Sequence, residues 1–227
     1  MKHLQRDLEE LQRQILLLSA SVEETVDKAS RALRERRLDL AQQVLRGDDD
    51  IDRREVQIEE ECLKMLALHQ PVAVDLRRIA TVLKINTDLE RIADLAVNIA
   101  ERGEYMATQP EFPIPGKLDR MVDMAIMMVR DAIDSFVKMD PRAARQVCAL
   151  DEEVDRYNRE VINELYELMR TNAATVAPAM HCFSAARHVE RIADHATNIA
   201  EDVIYLVEGE IARHKHDGLH LPRESQQ

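Results

Sequence analysis

Residues 89–101 read LERIADLAVNIAE, and residues 189–201 read VERIADHATNIAE. From Glu90 to Glu101, ten of twelve positions are identical to those one hundred residues further on. A chain that repeats itself at this distance is two copies of one unit, so what one copy folds into the other must fold into as well. A weaker match lies upstream. Gln43-Val44 and DDDIDR at 48–53 align with Gln146-Val147 and DEEVDR at 151–156, at an offset of 103. The three-residue difference fits a loop between the second and third elements of each copy.

The apolar pattern makes those elements helices. Leu4, Leu8, Leu11, Ile15, Leu18 and Val22 keep a 4-3 spacing, a narrow seam for packing against neighbouring helices. This first helix is expected to reach about Arg36. A second covers 39–69 on Val44, Ile51, Ile58 and Met65, softened or interrupted at Gly47. A third covers 73–107 on Ile85, Leu89, Ile92, Ala96 and Ile99. TQPEFPIPG at 108–116 places three prolines within six residues and reads as a stiff linker. A fourth helix follows on Leu118, Met121, Ala125, Met128 and Ala132. Asp140 before Pro141 reads as an N-cap for a fifth helix to about Arg170. A sixth runs from Pro178 to about Ala212. The expectation is an all-α chain of two tandem antiparallel three-helix bundles, 1–107 and 117–212, related by a pseudo-twofold or a near-translation, with a flexible tail at 213–227.

Composition agrees. Five glycines and seven prolines are too few for the turns of an all-β chain. With 3% aromatics, no tryptophan and ten methionines, the core must be aliphatic, and the methionines read as filler. The net charge of −12 argues against a broad nucleic-acid footprint. There is no apolar signal core and no 18-residue apolar run, so neither export nor membrane insertion is expected. Three widely separated cysteines without CxxC suggest a reduced, cytoplasmic protein.

On a helical wheel Glu90, Asp94, Asn98 and Glu101 fall at about 0°, 40°, 80° and 20°. Glu190, Asp194, Asn198 and Glu201 repeat the stripe. The second helix of each unit adds an acid pair at i, i+4, Asp48/Asp52 and Asp151/Asp155. Glu55 and Glu59 extend the first pair, where the second unit has Asn158 and Ile162. A solvated face accounts for one such stripe. Its recurrence in both copies, with few lysines to offset it, argues for more. Like charges at i, i+4 destabilise a helix, and facing carboxylates some 4 Å apart repel by roughly 4 kcal/mol at an effective dielectric of 20. A cation reverses that sign, and oxygen donors suit Mg²⁺, Mn²⁺ or iron. Convergence of Asp48, Asp52, Glu90 and Asp94, and of Asp151, Asp155, Glu190 and Asp194, is therefore expected.

Other sites are weaker. A di-iron bundle wants Glu-x-x-His, which is absent. His195 corresponds to Leu95 and reads as incidental, and His214, His216 and His220 read as a ragged tail. No phosphate loop, nucleophile elbow or Cys/His dyad points to catalysis.

Twin ERIAD-x-A-x-NIAE segments on the third helix of two tandem units resemble the PhoU family of bacterial phosphate-uptake regulators. The family's E(D)xxxD motifs stand here as Glu90–Asp94 and Glu190–Asp194, with Asp48–Asp52 and Asp151–Asp155 as partner pairs. The resemblance implies a cytoplasmic, homodimeric, non-enzymatic protein. It would dampen import through a phosphate ABC transporter, by contact with the ATPase subunit and the phosphate sensor histidine kinase. It also implies iron, zinc, manganese or magnesium on the paired acids. A metal-binding or storage bundle without a regulatory role is the alternative. The missing acids at Asn158 and Ile162 imply that the two sites differ.

Overall fold

The computed structural model describes residues 2–209. The seam residues Leu8, Leu11, Ile15, Leu18 and Val22 are each 2% exposed or less, with Leu4 packed at their edge. They line the inner face of α1 (Lys2–Arg34). Next come α2 (Leu38–His69), α3 (Ala73–Thr108), α4 (Gly116–Lys138), α5 (Pro141–Thr171), a 3₁₀ turn at Ala173–Thr175 and α6 (Val176–Glu208). No strand is present among the described residues, so the all-α expectation holds. The sixth helix begins two residues earlier than the pattern suggests, because Pro178 is tolerated in a first turn. Its expected extension past Glu208, the tail and the tail histidines lie outside the described residues.

The helix ends follow local chemistry. The Asp140 carboxylate accepts from the backbone N–H of Arg142 at 2.9 Å and of Ala143 at 3.2 Å, with Pro141 at the first helical position. This is the cap the sequence indicated. Gly47 does not interrupt α2, which runs through it unbroken. The linker is not a free spacer. Phe112 is buried, and Arg36 donates to the Gln109 carbonyl, tying the linker to the α1–α2 turn.

Within each unit the three helices all touch one another, α1–α2–α3 and α4–α5–α6. The units also share a core, because α3 packs on α6 and α1 on α4. Both contacts are antiparallel. Lys84 meets Asp202, Asp88 meets His195, Arg102 meets Ser184 and Tyr105 meets His181, so numbers rise along α3 as they fall along α6. Arg34–Asp119 and Glu23–Arg130 give the same sense for α1 and α4. A near-translation would lay corresponding helices parallel, so the relation between units is a pseudo-twofold. Small side chains line the buried faces of α3 and α6. Ala93, Ala96, Ala100, Ala193, Ala196 and Ala200 are all fully buried. Gly103 lets α1 come close to α3, since a Cβ there would lie 2.8 Å from the Leu33 nitrogen.

Candidate metal centres

Asp48 and Asp52 sit one turn apart on α2, Glu90 and Asp94 one turn apart on α3, and these two helices are neighbours. The apolar stripes of both face inward, which leaves the acid stripes along the flank where the helices meet. Asp48, Glu90 and Asp94 are half-buried and Asp52 is exposed. Burial raises the pKa of Asp48, and the charges of Asp52 on its own helix and Asp94 on α3 raise it further. Burial also raises Glu90, followed by Asp94 and, from α2, Glu55 and Asp52, with Arg91 opposing. The carboxylates of the two helices therefore act on one another across the gap. Asp48 Oδ1 is sealed from solvent and has no hydrogen-bond partner.

The second unit repeats the arrangement. Burial raises Asp151, and Asp194 of α6 and Asp155 of its own helix add to it. Burial, Glu190 and Asp155 raise Asp194. Burial also raises Glu190, with Arg187 opposing and Asp155 and Asp151 adding. The α2 acids thus stand near enough to the α3 acids, and the α5 acids to the α6 acids, to disfavour one another's ionisation. Some positive charge is present. Arg91 lies 3.5 Å from Glu90 and 3.9 Å from Asp94, Arg159 lies 3.8 Å from Asp155, and Arg187 reaches Glu190 at 2.6 Å. Among the described residues no group of three or more His, Cys, Asp or Glu side chains stands as a formed metal-ligand set.

The rest of the stripe serves other ends. Asn98 donates back to the Asp94 carbonyl at 2.7 Å. The buried Asn86 of α3 donates to the Glu55 carbonyl at 2.8 Å and to Glu55 Oε1 at 3.2 Å. That fixes Glu55 beside the first acid group, where burial and Glu59 raise its pKa. The second unit has Ala186 in place of Asn86, and Asn158 in place of Glu55 is buried with its Oδ1 unpartnered.

Sequence reasoning missed three neighbours of these acids. Asn86 lay outside the stripe. Thr197, one of the two differences inside the repeat, donates to Asp151 Oδ1 at 3.4 Å. Cys148, where the first unit has Leu45, stands by Asp151 and Glu201, and burial followed by those charges pushes its thiol up to about 12. Only the Thr197 difference left a signal in the repeat. His195, read as incidental to the acid pairs, has a partner of its own, since its Nδ1 lies 2.8 Å from Asp88 of α3. Its partner belongs to the other unit, so comparing the copies could not reveal it.

The PhoU domain family matches residues 15–103 and again 118–203, one match per unit. A phosphate-specific transport system accessory protein PhoU homolog of Aquifex aeolicus is 42% identical over 211 residues, covering 93% of this chain and 96% of that protein. The phosphate-specific transport system accessory protein PhoU of Escherichia coli strain K12 is 31% identical over 208 residues, covering 92% and 86%. The crystal structure of PhoU from Pseudomonas aeruginosa superposes with a TM-score of 0.87 at 37% identity, over 91% of this chain and 99% of that one. That of the phosphate transport system regulatory protein PhoU from Streptococcus pneumoniae gives 0.86 at 27% identity, over 92% and 98%. Two acid-bearing three-helix units in tandem, each matched by the same domain, place this chain in the PhoU family.

Proposed function

We propose that this chain is a non-enzymatic negative regulator of phosphate uptake and of the phosphate-starvation response. It works in the cytoplasm as a homodimer, by contact with the ATPase subunit of a phosphate ABC transporter and with the phosphate sensor histidine kinase. The observation that carries this reading is the end-to-end likeness to proteins named phosphate-specific transport system accessory proteins, which spans 92–93% of the chain. A rigid bundle with long exposed helix faces suits a protein that works by contact. Its charge of −12 would steer it toward basic patches on a partner.

The acid pairs fit a divalent cation. Their donors are oxygens, the set that hard ions take, and Asp48 Oδ1 is a buried acceptor without a partner. Asp48, Asp52, Glu90 and Asp94 would hold an ion in the first unit, and Asp151, Asp155, Glu190 and Asp194 in the second. The ion would supply the positive charge that turns repulsion between neighbouring helices into attraction. Magnesium, manganese, iron and zinc all remain within this donor chemistry. Glu55 and Glu59 would give the first site oxygens that Asn158 and Ile162 deny the second.

The test is deletion of the gene in its host, with an alkaline phosphatase reporter read in high phosphate, and pull-downs from the same cells at low and high salt. The reporter should switch on. The ATPase or kinase should be recovered at low salt and weaken at high salt, where the screening length falls from about 10 Å at 0.1 M to about 3 Å at 1 M. A silent reporter with neither partner recovered would refute the reading.

A further inference from the structure

The α3–α6 interface carries two polar clusters that the hundred-residue correspondence exchanges. In the first, Lys84 donates to Asp202 Oδ1 at 2.9 Å, and Asp202 is only 2% exposed. The Lys84 ammonium also lies 5.5 Å from the centre of the Tyr205 ring. Beside it, His195 meets Asp88 at 2.8 Å. Two basic groups meet two carboxylates.

In the exchanged cluster Ser184 replaces Lys84, Arg102 replaces Asp202, His188 replaces Asp88, Leu95 replaces His195, and the tyrosine is kept as Tyr105. Both interface carboxylates have become basic residues. Arg102 Nε donates to Ser184 Oγ at 3.4 Å, and Ser184 Oγ lies 3.2 Å from His188 Nε2. Tyr105 stacks on His181 with ring centres 3.6 Å apart. The Nδ1 atoms of His181 and His188 are sealed from solvent and unpartnered. Arg102 has an ion-pair contact with Glu101, which is exposed on the rim, but at 3.8 Å that is too long for a hydrogen bond. The Arg102 side chain is 30% exposed, so a small solute can reach it.

We propose that this second cluster binds a small tetrahedral oxyanion of the inorganic phosphate or sulfate kind. Arg102 supplies the charge, Ser184 and His188 flank it, and the Tyr105–His181 stack forms one wall. The planar guanidinium fork matches oxyanion geometry. The anion supplies Arg102 with the counter-charge that Lys84 finds in Asp202 at the other end of the interface, on the side where the short Ser184 stands in place of the long Lys84. Glu101 has to turn outward to admit it. This site is separate from the acid pairs, and purified protein suffices to test it whatever becomes of the regulatory reading.

The experiment is isothermal titration calorimetry on the full chain with phosphate, sulfate and chloride at constant ionic strength. Phosphate or sulfate should bind saturably, one per chain, and chloride should not compete. R102Q should weaken binding about tenfold or more, the loss expected for a charged hydrogen bond. R130Q, which removes a surface arginine elsewhere, should leave it unchanged. S184A and the histidine ring NMR signals give independent readouts. S184A should weaken binding, and the anion should shift His181 and His188 but not His69. Absence of saturation, equal binding of chloride, retained affinity in R102Q, or unmoved His181 and His188 signals would overturn the proposal.

Discussion

Asp151 shows most plainly what the acid pairs cost. Its carboxyl is half-buried, faces Asp194 and Asp155, and has a raised pKa for those reasons. A carboxylate raised in the folded state adds stability below its unfolded pKa and loses it as pH climbs through the folded one. At neutral pH the metal-free chain therefore carries Asp151 at a cost. The variant D151N should melt higher than the parent in chelator at pH 7, by about 2–4 °C, the shift that one kcal/mol makes in a chain of this size. The advantage should shrink as pH falls through the raised pKa of Asp151 and vanish below the ordinary carboxylate range. Thermal melts of both proteins across pH 4–8 would check this. Restoring Mn²⁺ or Mg²⁺ should reverse the order, because an ion at one hundred times its Kd stabilises the parent by about 2.7 kcal/mol. Equal response of both proteins to the ion would argue against a site at Asp151. The eight acids were legible in the sequence because they recur on helical stripes. Asn86 and Cys148 were not, and Thr197 showed only as a difference inside the repeat, because their roles depend on which side chain of the next helix they meet.

At the scale of the helix, the two glycines Gly47 and Gly103 should respond oppositely to the same change. A Cβ on Gly47 meets nothing within 4 Å, so G47A should stabilise α2 by up to about 1 kcal/mol through helix propensity alone. A Cβ on Gly103 would stand 2.8 Å from the Leu33 nitrogen and 2.9 Å from the Ala32 carbonyl carbon. Those are backbone atoms and cannot step aside. G103A should lose about 1–3 kcal/mol by forcing α1 away from α3. Urea titrations of both variants would read the contrast, and a stabilised G103A would contradict this packing. Asp140 offers a third check, since D140A should cost about 0.5–2 kcal/mol through loss of the α5 cap. Helix identity was legible because the apolar spacing holds throughout. The end of α1 was placed at Arg36, two residues late, because Arg36 takes a left-handed backbone that sequence spacing does not encode. The left-handed backbone at Gln70, Ala73 and Met139, none of them glycine, was equally hidden.

For the whole molecule, the duplication announced two like units, but not how they pair. Twofold and translation both satisfy a hundred-residue repeat. The choice rests on α3 against α6, where Lys84 can reach Asp202 and Asp88 can reach His195 only if the helices run in opposite directions. The twofold gives each unit its own acid flank. On the proposed function, those flanks matter in the cell. The direct measurement is the alkaline phosphatase reporter in phosphate-replete cells lacking this chain, complemented by the parent or by the double variant D94A/D194A. The parent should silence the reporter. The double variant, folded and present at equal level, should leave it on and should bind less metal. Silencing by the double variant equal to that by the parent would contradict a regulatory role for the acid pairs.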